Sequence, residues 1–457
     1  MAESKLAVEG GAPAIRGVEG RGEPKIGHEE FLSLAETWGY SNDTVERIRA
    51  IVEDEDLGGG PMLARYHREN SKTERMEREI EERFGVKHVY SVTSGTAALH
   101  TAYVAADIGC GDEVLVPGYT FAATAMAVVV SRGIPVWCEI DESMTFDPVA
   151  AESRITPRTK AIAPVHMNGY VCDMDAILAL ASRHNLAVIE DCAQAYGASY
   201  KGHRVGTIGS LGCFSISSYK TTGAGEAGLV MTNDDALYAR VQGWAEAGGL
   251  WRPDRFAKAR WDGELFSGVN YRMSELEGAV NLIQTRKADA QLARWRTNKR
   301  RIIEATPAYC GITAQRIHDV DGEMGHSIGF FASSPQEAVR VVAALRAEGL
   351  GAGTRGERPA EDWHYYQHIH QILDKVPATS DGCPWRCPNA SRASFVEYST
   401  DMCPRTLDLT SRFVSVGVNQ WWTESDCKQV VAALTKVLDA FFVRNSELDN
   451  WLAAATS

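Results

Sequence analysis

Between residues 88 and 191, short apolar runs take turns with stretches that repeat their apolar positions at helical spacing. The runs at 89–93, 113–117, 135–140, 161–166 and 187–191 are predicted strands, and 95–107, 121–132 and 174–184 are predicted helices. The strands are apolar nearly throughout and leave no polar face for water. That pattern predicts an α/β fold, with a mainly parallel sheet covered by helices on both sides. In such sheets ligands bind outside the carboxyl ends of the strands.

The flanks read differently. Residues 5–25 are rich in Gly, Pro and Glu and are predicted irregular, while 28–56 carries helical spacing. The stretch 71–84 alternates charge with Met76, Ile80 and Phe84 and predicts a solvent-laced amphipathic helix. Residues 274–296 predict a long helix, 326–332 a strand, 335–349 a helix, 411–417 a strand and 424–444 a last helix. The expected division is an N-terminal segment (1–60), a large domain (61–300) and a smaller C-terminal α/β domain (301–457). The smaller domain carries a loop-rich insertion over about 352–405.

Composition changes little in this picture. The chain has 457 residues, 44% hydrophobic and 23% charged, which is ordinary for a globular protein. Its net charge of −13 argues against nucleic acid as the main partner. The start has no basic segment followed by an apolar core, so no secretory leader is expected. The longest apolar stretch, 122–130, is too short to cross a bilayer. Ten cysteines without export signals predict reduced thiols in a cytoplasmic protein. Cys383 and Cys387 have an unusual spacing, a bulky Pro-Trp between them and no second pair, so no metal site is expected.

Candidate chemistry collects at predicted strand ends. Asp191 closes the apolar run Leu186-Ala-Val-Ile-Glu-Asp191, and Gln194 follows it. Lys220 ends a second β-like run, 212–220, which also holds Ser215. Pyridoxal 5′-phosphate needs such a pair: a lysine to hold its aldehyde as a Schiff base, and a carboxylate to keep its ring nitrogen protonated. Ser94-Gly95-Thr96 lies between a strand and an Ala-rich helix, where free N–H groups and the helix dipole favour a phosphate. The alternative there is a plain N-cap. Phe121 follows the next strand and reads either as a stacking platform for a flat ring or as core. The stretch 362–366 and the cysteines at 383–403 read as a surface cover, with bordering the substrate as the alternative.

Together these motifs resemble the DegT/DnrJ/EryC1/StrS family of sugar and aminocyclitol aminotransferases, of the aspartate-aminotransferase-like fold type I. The resemblance is carried by Ser94-Gly-Thr-Ala-Ala-Leu99, Pro117-Gly-Tyr-Thr-Phe-Ala-Ala-Thr124, Glu190-Asp-Cys-Ala-Gln194, Phe214-Ser-Ile-Ser-Ser-Tyr-Lys220 and Gly268-Val-Asn-Tyr-Arg-Met-Ser274. It implies that Lys220 holds the cofactor and moves the proton, and that Asp191 pairs with the ring nitrogen. It further implies that Phe121 stacks on the ring, that Gln194 contacts the ring oxygen, and that Gly95, Thr96 and Ser215 hold the phosphate. Asn270 would reach the phosphate of a neighbouring subunit, in a homodimer with shared sites. The implied reaction moves an amino group from an amino acid, Glu or Gln by family inheritance, to a keto-sugar or keto-cyclitol.

Departures from the family pattern at Thr221, Ala227, Ala247 and Tyr170-Val171 touch neither the lysine nor the carboxylate, but they leave the acceptor open. The alternative is an atypical pyridoxal-phosphate enzyme of the same fold, dehydratase-like or acting on a non-sugar substrate. Lys220 argues against the dehydratase branch, whose members carry His there.

Overall fold

The computed structural model describes residues 5–15, 24–65, 71–249, 254, 256–357, 360–386 and 396–456. The chain forms two compact units, Met1–His67 and Arg68–Ser457. In the first, helices His28–Thr37 and Asn42–Val52 bury Leu32, Ala35 and Val45 against one another.

The second unit is built on a seven-stranded sheet. Its strands are β1 (His88–Val92), β2 (Glu113–Pro117), β3 (Ile134–Cys138), β4 (Thr159–Ile162), β5 (Ala187–Asp191), β8 (Leu211–Ser215) and β9 (Gly228–Thr232), in the order β1-β9-β8-β5-β4-β2-β3. A two-stranded ribbon, β6 (Ser199–Tyr200) with β7 (His203–Arg204), leads into β8. The five strands from β8 to β3 pair in parallel, and β9 runs antiparallel to both of its neighbours. The expected mainly parallel α/β sheet is present, and an antiparallel strand is inserted in it. Strand residues are buried almost without exception, and apolar side chains fill the space on either face.

Two predicted strands stop early, each for a local reason. Pro164 has no N–H to donate, and β4 ends at Ile162. Its line continues as single hydrogen bonds, from Ala163 N–H to the Leu115 carbonyl (2.9 Å), from Asp191 N–H to the Pro164 carbonyl (2.8 Å) and from His166 N–H to the Asp191 carbonyl (3.0 Å). The run 212–220 is strand only to Ser215. Beyond Ile216 the chain folds into a tight loop, closed by Ser218 N–H to the Gly225 carbonyl (2.9 Å) and Ala224 N–H to the Ile216 carbonyl (3.1 Å). Gly223 permits the closure, because a Cβ there would meet the Ser217 carbonyl at 2.2 Å. Lys220 therefore sits in a turn.

Farther along, β10 (Tyr309–Cys310) pairs with β15 (Val443–Arg444). A four-stranded antiparallel sheet has the order β11 (Thr313–Ala314), β12 (Ser327–Phe331), β14 (Phe413–Gly417), β13 (Ala352–Thr354). Residues 411–412, expected in a strand, end the helix Pro404–Arg412 instead. The helix Glu275–Ala305 has 31 residues and runs through the expected boundary at 300. Near its start it is locked to the helix Lys72–Phe84: Ser71 Oγ and Lys72 N–H both donate to the Glu275 carboxylate at 2.6 Å.

Candidate active site

A cavity of about 370 Å³ opens where β2, β5 and β8 end. Seven of the eight residues singled out from the sequence line it: Gly95, Thr96, Phe121, Asp191, Gln194, Ser215 and Lys220. Asn270 does not. It is exposed on a segment beside the end of β1, and its Oδ1 accepts the Arg272 N–H at 3.2 Å.

Asp191 is the last residue of β5 and is buried. Thr124 Oγ1 donates to its Oδ2 at 2.7 Å, and Ala193 N–H donates to its Oδ1 at 3.0 Å. Burial pushes its carboxyl above the ordinary range, against the pull of these donors and of Lys220. Lys220 is half-buried, and burial lowers its ammonium while Asp191 draws it back up. The two groups influence each other without forming an ion pair.

The helix Gly95–Ala105 begins at the cavity wall. Ser94 Oγ caps it by accepting the Ala97 N–H at 3.0 Å. The Gly95 and Thr96 N–H groups have no acceptor among the described residues, as first-turn donors require. The helix start is pressed onto the sheet. A Cβ on Gly95 would lie 2.7 Å from Ser215 Cβ, and one on Gly228 would lie 2.2 Å from the Ser94 carbonyl. Free N–H groups, the helix dipole and the Ser215 and Ser217 hydroxyls thus converge on one corner of the cavity.

Gln194 is oriented by its oxygen, which accepts the Asn168 N–H at 2.8 Å. Its amide NH₂ remains as the donor end for the cavity. Phe121 is 43% exposed and presents its ring to the cavity, tilted against His364 at a centroid distance of 5.3 Å.

Sequence reasoning missed several of these contributors. Thr124 holds Asp191 from one helical turn above Thr120. His364 lines the cavity because the segment 362–366 is hydrogen-bonded along 118–122: Thr120 N–H reaches the His364 carbonyl at 3.0 Å, and Ala122 N–H the Trp363 carbonyl at 2.8 Å. The insertion reads in the sequence as a surface cover, with bordering the substrate as the alternative; it buries Tyr366, Trp385 and Cys403, and through His364 it also borders the cavity. Cys387 lies outside the described residues.

Glu190 points to the opposite face of β5 from Asp191. It accepts N–H groups from Gly206 (2.8 Å), Ile208 (2.9 Å) and Gly209 (2.6 Å), and faces His166 Nε2 at 3.2 Å. Cys172 N–H donates to His166 Nδ1 at 3.2 Å, so the ring proton sits on Nε2. His166, Glu190 and Cys192 cluster like metal ligands, but the Glu190 oxygens are already filled by donors. The cluster braces the strand that carries Asp191.

Comparison with known proteins gives a family match and similar folds. Residues 64–387 match the family described as the DegT/DnrJ/EryC1/StrS aminotransferase family. A GDP-perosamine synthase of Caulobacter vibrioides is 42% identical over 46% of this chain and 55% of its own length. An L-glutamine:2-deoxy-scyllo-inosose aminotransferase of Streptomyces lividus is 40% identical over 51% of this chain and 56% of its own. The chain thus spans about half the length of these curated relatives. Among solved structures, an aminotransferase from Psychrobacter cryohalolentis has a TM-score of 0.66 at 25% identity, covering 88% of this chain and 98% of that one. DesV of S. venezuelae, solved with a ketimine intermediate, has a TM-score of 0.64 at 26% identity, covering 89% and 96%. The fold is that of the type I aminotransferases.

Proposed function

Because the chain belongs to the DegT/DnrJ/EryC1/StrS aminotransferase family, we propose that it binds pyridoxal 5′-phosphate and transfers an amino group from an amino acid to a keto-sugar or keto-cyclitol. The observation that carries this reading is the meeting of Lys220, Asp191 and the capped start of the helix Gly95–Ala105 in one cavity. The residues fit the cofactor at each end. The phosphate corner supplies N–H and hydroxyl donors and the dipole of a helix start. Across the cavity, Asp191 is the single buried acid, and Gln194 offers an amide NH₂ to an oxygen on the ring.

When bound, the cofactor supplies an electron sink for the carbon that loses its proton. This chain's residues do the rest. Asp191 holds a proton on the ring nitrogen. Thr124 and Ala193 fix the orientation of its carboxylate for that contact. Lys220 would anchor the cofactor and, as a free amine, would carry the proton. Its lowered pKa favours that neutral form. Phe121, in the cavity wall, would cover one face of the ring.

Glutamine as donor and a cyclitol or sugar as acceptor follow the relatives' names, glutamate as the other donor follows the family resemblance, and biosynthesis of an aminated secondary metabolite is the setting they suggest. A homodimer in which Asn270 completes the neighbouring site belongs to the same proposal, as does a cytoplasmic location. Among the described residues, no helix is long and apolar enough to cross a membrane.

The test is a half-reaction screen. The cofactor-loaded protein is mixed with single amino acids, and the cofactor's absorbance is followed together with release of the oxo acid. Conversion by glutamine or glutamate is the expected result. Conversion by no amino acid would overturn the aminotransferase reading.

A further inference from the structure

The stretch 362–366 is fixed against 118–122, which carries Phe121. Tyr119 and Tyr365 form an antiparallel bridge, and Tyr366 N–H donates to the Gly118 carbonyl at 3.1 Å. The backbone thus holds His364 at the wall of the cofactor cavity, with its ring against Phe121. Asp362 fixes the ring itself. Its Oδ1 accepts the His364 backbone N–H at 2.9 Å and faces the ring Nδ1 at 2.7 Å. Asp362 is held in turn, since its own N–H donates to His368 Nδ1 at 2.9 Å. Burial raises the Asp362 carboxyl, but the N–H and ring of His364, with His368 beyond them, outweigh burial and hold it below the ordinary range. A charged carboxylate only accepts, so the Nδ1 proton of His364 points at Asp362. Nε2, at the far edge of the ring, has no hydrogen-bond partner among the described residues.

Such an arrangement lets an imidazole carry a proton. The carboxylate sets the tautomer and the ring plane, and it stabilises the imidazolium that forms when Nε2 takes up a proton. Amino transfer has work for a carrier of this kind. When nitrogen replaces the oxygen of a carbonyl, the C–O bond breaks and the oxygen leaves as water. The oxygen takes up two protons, and the incoming nitrogen gives up two. Among the described residues that line the cavity, Asp191, Tyr219, Lys220, Glu226 and His364 have side chains that titrate. Asp191 and Lys220 already serve the ring nitrogen and the substrate carbon in the reading above. Tyr219 and Glu226 are exposed, and no hydrogen bond fixes either side chain among the described residues. His364 is the one left that a partner holds in place.

We propose that His364 is a catalytic proton carrier for the carbonyl oxygen, with Asp362 as its positioning residue. This rests on the aminotransferase reading above. As the acceptor's carbonyl carbon binds nitrogen, Nε2–H gives its proton to the oxygen, which leaves as water. Nε2 then recovers a proton from the nitrogen, and His364 ends as it began, with no oxidant or reductant needed. In the donor half the moves run in reverse. The oxygen of water joins the donor carbon, Nε2 takes a proton from it, and that proton passes to the departing nitrogen. Lys220 thus works on carbon and His364 on oxygen.

The test separates carbon from oxygen. Cofactor-loaded protein is incubated with glutamine or glutamate in D₂O, and two products are measured by NMR. Amino acid deuterated at its α carbon reports the Lys220 step, and released oxo acid reports the oxygen step. Their ratio does not depend on how much of a variant is folded or loaded. His364→Ala is expected to lower the ratio of oxo acid to deuterated amino acid by on the order of a hundredfold, the low end for a positioned proton carrier. Added imidazole should raise it again, and Asp362→Asn should lower it less than His364→Ala does. Diethyl pyrocarbonate gives a readout apart from turnover. In the loaded protein without substrate it should carbethoxylate His364, located by peptide mapping, because Nε2 is open. An unchanged ratio in His364→Ala, a lowered ratio that imidazole leaves in place, or no label on His364 would each overturn the proposal. Failure of the aminotransferase reading shows differently: the unaltered protein would yield neither deuterated amino acid nor oxo acid from any amino acid, which would end both readings.

Discussion

Burial works against the charged forms of both Asp191 and Lys220, raising one pKa and lowering the other. Neither shift stabilises the empty fold. For Asp191 the penalty is absent below the ordinary value of 3.8 and grows as pH rises through the raised native value. For Lys220 it is present at neutral pH and fades as pH rises from the lowered native value toward 10.5. Asp191→Asn should therefore leave the cofactor-free protein at least as stable as the original at neutral pH, with the difference vanishing below 3.8. Thermal melts of the two proteins across pH 3–8 check this. The same variant, loaded with cofactor, should lose at least about a hundredfold in turnover, on the scale of lost proton-holding groups. A variant both destabilised and active would mean that Asp191 serves the fold. Among single residues, those at strand ends were legible in the sequence, because an apolar run that stops at a polar side chain marks the edge of a sheet. Thr124, His166 and Glu190 were not. Their roles depend on which side chain faces them across the sheet, and spacing along the chain does not encode that.

At the scale of elements, the site depends on a close approach between the helix Gly95–Ala105 and the strands beneath it. Gly95 lies against Ser215 and Gly228 against the Ser94 carbonyl, with no space for a side chain. Gly228→Ala should push the helix start off β9 and cost about 1–3 kcal/mol, the usual price of overpacking. Urea unfolding measures the cost, and cofactor retention on dialysis should fall with it. Unchanged stability and retention would show that the helix start tolerates displacement. The strand–helix alternation from 88 to 191 was legible because both faces of the sheet are covered. The strand β9 was not: Gly228-Leu-Val-Met-Thr232 pairs antiparallel between β8, the strand just before it, and the distant β1, and nothing in so short a run marks that reversal. The run 212–220 continued too far on paper because nothing local reveals that the Gly223 region folds back on Ile216 and Ser217.

At the scale of the whole molecule, Asn270 is the one expected site residue outside the cavity. If it completes the site of a second copy, two inactive variants should rescue each other. Mixing Lys220→Ala with Asn270→Ala, with subunit exchange demonstrated, should restore part of the activity, because one site then carries both lesions and the other none. No recovery from two impaired, exchanging variants would place Asn270 in its own subunit's service or in none. The central claim is narrower than assembly or substrate: this chain holds pyridoxal 5′-phosphate through Lys220. Borohydride reduction of the cofactor-loaded protein, followed by peptide mapping, tests it most directly. The account predicts a pyridoxyl group on Lys220 and on no other lysine; a label elsewhere, or none at all, would contradict it.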